Sequence, residues 1–230
     1  MLRKARRGPG HNDGWTTPVS SALGMAGFLG VVLTGFTLLA AGPLMAIDTY
    51  FNLEPPPPAW VTVLHVLDRV GQRAVCLPIL AVVVFLCWRR TGSWRPVLLA
   101  GVAVFTLNLL VLILKVGLGR GQPGLADPSF FVGGMAYPSG HTANIVLVYG
   151  LAVYLLGRYL RVSRRTYALG WVLVVGLSLL MVGVSMTLNW HWFADLVAGL
   201  LVGGVVLELS VAADLGYRPV RGPLAKLLRA

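Results

Sequence analysis

His191 and Asp195 stand four residues apart in NWHWFADLVAG (189–199), at the start of a long apolar run. Ionisable residues are costly at membrane depth, and those found there mark functional sites. A spacing of i and i+4 predicts that the two share one helix face. A carboxylate bonded to one imidazole nitrogen fixes the tautomer and leaves the other free to attack or to take a proton. A second histidine, His141, lies in YPSGHTAN (137–144) and suits a general acid acting on a leaving oxygen. Beside it, Ser139 is a natural helix N-cap, and Gly140 lets a ligand come close to the backbone. Free amides at a helix N-terminus attract anions, and Lys115 adds a positive charge suited to phosphate. Nucleophile, orienting carboxylate, acid and anion cradle together describe phosphoryl transfer through a histidine intermediate.

Membrane-spanning helices must carry these groups. The 230-residue chain is 57% hydrophobic and only 12% charged, with mean hydropathy +0.77. A soluble domain carries about 25% charged residues. Charge-poor stretches near the roughly 20 residues that cross a bilayer predict six spans. They fall at about 22–47, 68–88, 96–115, 141–157, 167–188 and 191–213. The expected fold is all-α, a polytopic six-transmembrane-helix bundle over 21–214, between basic tails at 1–20 and 215–230. Only Ala74 to Trp88 of the second span is free of charge, so that helix is expected to start near Asp68, with Arg69 and Arg73 snorkelling to the interface. The first apolar run exceeds the about 7–15 residues of a signal-peptide core, which predicts an uncleaved span.

Of the 19 Lys and Arg, all but Arg69, Arg73, Lys115 and Arg120 fall in the tails or in the links between spans two and three and between four and five. The positive-inside rule makes that face cytoplasmic, with both termini there and an affinity for anionic lipids. Lys115, His141 and His191 then share one depth at the extracytoplasmic face of a cell-membrane protein. The net charge of +11 is spread across several loops, which argues against a nucleic-acid partner. A transporter would show internal repeats or broken helices, and the sequence suggests neither. A zinc site of His141, His191 and Asp195 would leave Lys115 opposing the cation, so neither metal nor cofactor is expected. Cys76 and Cys87 read as apolar filler, His65 as interfacial, and Trp190 and Trp192 as interface anchors. The four prolines from Pro55 to Pro58 read as a stiff connector, and oligomeric state has no signature in the sequence.

KVGLGRGQP (115–123), PSGH (138–141) and HWFAD (191–195) resemble the three signature blocks of the type 2 phosphatidic acid phosphatase superfamily. The resemblance, over about residues 60–213, implies a six-helix core with its site at the membrane surface. It also implies metal-free hydrolysis of a phosphomonoester or pyrophosphate of a membrane lipid, of polyprenyl phosphate or phosphatidate type. It makes His191 the nucleophile, Asp195 its orienting partner and His141 the general acid. Lys115, Ser139 and the Gly140 amide become phosphate-binding groups. Two positions depart from the pattern. Gln122 stands where the first block has arginine, and Val184 and Ser185 stand where the third has Ser-Arg. Each lost guanidinium contact can cost about 10²–10³ in rate. Arg120, two residues before Gln122, is the expected substitute, with Arg69 and Arg73 as further candidates. The alternative is a weakened or inactive relative that binds phosphorylated lipid.

Overall fold

The computed structural model of the protein describes residues 18–125 and 127–216. The helices are α1 (Val19–Ala40), α2 (Met45–Tyr50), α3 (Pro58–Asp68), α4 (Arg73–Thr91) and α5 (Arg95–Leu118), followed by α6 (Gly140–Asn144), α7 (Gly150–Leu155), α8 (Arg164–Thr187) and α9 (Phe193–Gly216). Two π-helical turns, Ile145–Tyr149 and Leu156–Leu160, join α6 to α7 and extend α7, so Gly140–Leu160 is one rod. Among the described residues there is no strand. Among the described residues six helical runs are long and apolar enough to cross a membrane by length and composition, and the protein is a multi-pass membrane protein. Most of both basic tails, 1–17 and 217–230, lies outside the described residues.

The second span differs from its expected form. It runs from Pro58 to Thr91 and is broken in the middle by a 3-10 turn, Arg69–Gly71, and by extended Gln72. Pro58 belongs to the helix: it occupies the first helical position of α3, where a missing N–H costs nothing. The first expected span is also divided, with α1 ending at Ala40 and α2 restarting at Met45.

The Gly140–Leu160 rod and α9 form the centre, and α1 lies along α9. Phe28, Val31 and Leu38 of α1, Phe105 of α5 and Val172 of α8 remain exposed on the outside, where lipid would cover them. Lipid tails are as apolar as leucine, so helices in a membrane associate through close packing and interhelical hydrogen bonds. Both occur between α6 and α9. A side chain on Gly199 would collide with the Thr142 hydroxyl and the Ser139 carbonyl, and one on Gly203 with the Ala143 carbonyl. The Thr142 hydroxyl donates to the Leu196 carbonyl at 3.0 Å. At the opposite end of the bundle, buried Asp214 accepts from the hydroxyls of Tyr154 (2.7 Å) and Tyr159 (2.6 Å) and pairs with Arg95 Nε at 2.8 Å.

Substituting Gly199→Val should therefore lower the melting temperature in detergent, since overpacking of a close contact costs about 1–3 kcal/mol. Gly24→Val, on an open face of α1, serves as the control and should leave it unchanged.

Candidate active site

His191 sits in the turn that precedes α9, two residues before the helix begins, so the expected shared helix face is not how it meets Asp195. Asn189, with φ of 56°, reverses the chain, and Trp190 N–H returns to the Ser185 carbonyl at 3.2 Å. Asp195 lies in the first turn of α9, where a carboxylate meets the positive end of the helix. Its Oδ2 accepts the Trp192 N–H at 2.9 Å and lies 3.4 Å from His191 Nδ1. The latter separation is long for a hydrogen bond, as catalytic contacts often are before a substrate binds. With Nδ1 turned to the carboxylate, Nε2 is the nitrogen left for chemistry.

The other oxygen of Asp195 is held from below. Arg120 Nη1 donates to Asp195 Oδ1 at 2.7 Å, its Nη2 donates to Asp48 Oδ2, and its Nε donates to the Pro128 carbonyl at 2.9 Å. The Ala194 N–H donates to Asp48 Oδ1 at 2.9 Å. The guanidinium carbon stands 4.8 Å from the centre of the Phe130 ring. Arg120 and Asp195 are 0% exposed and Asp48 is 1% exposed. Burial pushes the Asp48 carboxyl above the usual carboxylate range, against the pull of Arg120 and the Ala194 N–H. Trp192, expected at the membrane interface, is instead buried here and donates its indole N–H to the Gly121 carbonyl at 2.8 Å.

His141 is the second residue of α6 and is carried to the break between α3 and α4. The Asn144 amide donates to the Gly71 carbonyl at 3.2 Å, and the Tyr149 hydroxyl to the Val70 carbonyl at 2.9 Å. A Cβ on Gly71 would stand 3.0 Å from the Cβ of His141, so glycine allows this approach. His141 Nε2 lies 3.3 Å from Oδ2 of fully buried Asp68, which also accepts from the Gln72 amide at 3.2 Å.

A cleft of about 690 Å³ opens over these groups. Lys115, Gln122, Gly140, His141 and His191 all line it, as do Arg73, Asn144 and Trp190. The Lys115 ammonium donates to the Met135 and Ala136 carbonyls. Three expected site residues do not line the cleft. Asp195 stands behind His191. Ser139 is fully buried, its Oγ makes no hydrogen bond, and it caps α6 through its backbone, with its N–H donating to the Asp195 carbonyl at 2.9 Å. Arg120 is the clear correction. Its donors are committed to two carboxylates and a carbonyl, so it positions Asp195 and does not face an incoming phosphate.

Asp48, Asp68, Gln72 and Asn144 were not singled out in the sequence. One signal could have found the two aspartates, since each is an acidic residue at the edge of an apolar run. At the positions where the superfamily has Ser-Arg, Val184 and Ser185 are buried, and the Ser185 hydroxyl contacts Met181 Sδ at 3.5 Å.

The sequence model of the PAP2 superfamily matches residues 96–215, and the chain belongs to that superfamily. Its fold is similar to a crystal structure described as the first transmembrane PAP2-type phosphatidylglycerolphosphate phosphatase from Bacillus subtilis. The TM-score is 0.72 at 19% identity, covering 86% of this chain and 99% of the Bacillus chain. No curated protein matches the sequence. Asp48, Asp68 and Arg73 all precede the matched region.

Replacing Arg120 by Ala would leave two buried carboxylates without their cation, a change that costs about 3–5 kcal/mol. Arg120→Ala should therefore melt well below wild type in detergent, with or without a phosphate analogue such as vanadate. Loss of affinity at unchanged stability would return Arg120 to the role of phosphate ligand.

Proposed function

We propose that the protein is a membrane lipid phosphate phosphatase that works through a phosphohistidine at the extracytoplasmic face. The observation that carries this reading is the cleft shared by two histidines, each backed by its own buried aspartate. Membership of the superfamily and the shared fold support the coarser part, a membrane phosphatase. The substrate class is a phosphomonoester or pyrophosphate of a polyprenyl or phosphatidate-type lipid. Phosphatidylglycerolphosphate, named for the Bacillus relative, belongs in the panel to be tested.

The geometry supports a two-step reaction. His191 Nε2 attacks phosphorus as the bond to the leaving oxygen breaks, and His141 gives that oxygen its proton. Asp195 holds the His191 ring through Nδ1 and balances the charge it gains. Water then attacks phosphorus, His141 takes a proton from it, and the P–N bond breaks to release inorganic phosphate and restore both rings. Lys115, the Gly140 amide and Gln122, which line the cleft, would hold the phosphate oxygens. Arg73 joins them, because it is the arginine that lines the cleft.

The cluster of Arg89, Arg90, Arg95, Arg158, Arg161 and Arg164 lies at the helix ends opposite the cleft, which supports cytoplasmic termini and an outward-facing site. Anionic lipids would meet that basic face. Gln122 and Ser185, both neutral where the superfamily pattern has arginine, favour a second reading, a weakened relative that binds phosphorylated lipid without turning it over.

Purified protein offered a panel of lipid phosphates should release phosphate, and His191→Ala should not. Brief exposure to radiolabelled substrate should leave acid-labile, base-stable label on the wild type only. Equal release from both proteins would sink the enzyme reading, and binding without release would establish the second one. Arg73→Ala should raise KM for lipid phosphate about tenfold, since a charge-assisted hydrogen bond contributes about 1.5–3 kcal/mol. An unchanged KM would remove Arg73 from the phosphate cradle.

A further inference from the structure

The break between α3 and α4 holds a buried carboxylate that the phosphate cradle does not use. Asp68 closes α3, is 0% exposed, and its Oδ1 makes no hydrogen bond among the described residues. A buried carboxylate needs a cation or several donors. Gln72 supplies one N–H, and among the described residues the group within ion-pair distance of Asp68 is the His141 ring. His141 Nε2 is itself buried and lacks a well-directed hydrogen bond, although Asp68 Oδ2 lies 3.3 Å away. A buried donor without a well-directed hydrogen bond therefore faces a carboxylate that still has one oxygen unfilled, and a small turn of the ring would join them.

We propose that Asp68 is the positioning residue of the general acid: by taking Nε2–H, it directs the Nδ1–H of His141 at the leaving oxygen. This inference rests on the phosphatase reading and adds to it a residue from outside the matched superfamily region. The two histidines are then used in opposite senses. Asp195 takes Nδ1 of His191 and frees Nε2 as a nucleophile, whereas Asp68 takes Nε2 of His141 and frees Nδ1 as an acid. Gly71 enforces the second arrangement by letting the ring lie against the backbone of the break, with its Cδ2 edge 3.2 Å from where a Cβ would be. In the first step the proton leaves Nδ1 for the departing alkoxide as the P–O bond breaks. In the second step the same nitrogen recovers a proton from the attacking water.

A purely structural Asp68, serving only to stabilise the break, would affect all substrates alike. A positioning role depends on the leaving group, because a nitrophenolate departs without a proton and an alkoxide does not. The test compares wild type, Asp68→Asn, His141→Ala and the double variant on p-nitrophenyl phosphate and on a short-chain phosphatidate in micelles. General acid catalysis contributes about 10²–10⁴-fold, so Asp68→Asn should lower kcat on the phosphatidate about 100-fold and on the aryl ester less than about threefold. In the His141→Ala background, Asp68→Asn should add nothing further on either substrate. Because each ratio is taken within one preparation, partial loss of folded protein cancels. Equal losses on both substrates, or losses that multiply in the double variant, would overturn the role of Asp68 and leave the phosphatase reading intact. Wild-type protein that releases phosphate from neither substrate would overturn both.

Discussion

A guanidinium with no exposed surface, held between two carboxylates, fixes much of the site. Taking three charges out of water is costly, and the cost is offset only if each is closely paired and its remaining hydrogen-bonding positions are filled. Arg120 meets that condition with Asp195, Asp48 and the Pro128 carbonyl, and Asp48 meets it with the Ala194 N–H. These five groups come from α2, the segment after α5 and the start of α9. Closing the network brings those three parts of the chain to one point, and the oxygen of Asp195 that Arg120 does not hold is thereby aimed at His191. The segments around His191 are thus tied down by charge as well as by the apolar packing of Phe130, Tyr137 and Ala194. Within the same network, turning Arg120 outward to a phosphate would strand both carboxylates.

A second consequence concerns the guanidinium groups missing from the superfamily pattern. Ser185 is buried against Met181 on α8, and the Met181 methyl group would stand 3.0 Å from a Cβ on Gly71. The broken span therefore packs against the stretch of α8 in which an arginine would be expected. An intact helix through residues 69–72 would keep the hydrogen bonds of its backbone to itself. The break instead frees the Gly71 and Val70 carbonyls to receive Asn144 and Tyr149, which dock the α6 rod. It also points the start of α4, with Arg73, into the cleft. Non-helical backbone at membrane depth is tolerated where it is buried in protein or lines a polar cavity, and here it does both.

What the sequence revealed and what it hid follow from the range of the interactions. The chemistry-bearing blocks were legible because their members are close in sequence: PSGH at one helix start, and a histidine four residues before an aspartate at another. The six spans were legible because apolar length is a local property. Asp48 and Asp68 were not, because their partners lie 72 and 73 residues away and no spacing rule connects them. Arg120 shows the same limit from the other side. Proximity to Gln122 in the chain suggested the phosphate, whereas the direction of its side chain is set by an aspartate 75 residues later. Trp192 was assigned to the interface on residue type alone, but the fold turns its indole inward to the Gly121 carbonyl.

Charge balance connects these features to the substrate. Asp48 and Asp195 share Arg120 as their cation, and Asp195 and Asp68 each lie beside a histidine ring, His191 and His141. The cations lining the cleft, Lys115 and Arg73, are not among the groups paired with these buried acids, and Lys115 is held by neutral carbonyls. A carbonyl orients an ammonium without cancelling its charge, so the cleft presents a positive wall over a compensated interior. A phosphate carrying up to two negative charges is the complement of such a wall, and a neutral headgroup would leave both cations poorly solvated. In a cleft bordered by lipid, where the dielectric constant falls below that of water, this attraction is stronger than it would be on an open surface. Two cations lining such a cleft give more binding than the same pair in bulk solvent, which is the physical basis on which a site short of two arginines could hold a lipid phosphate.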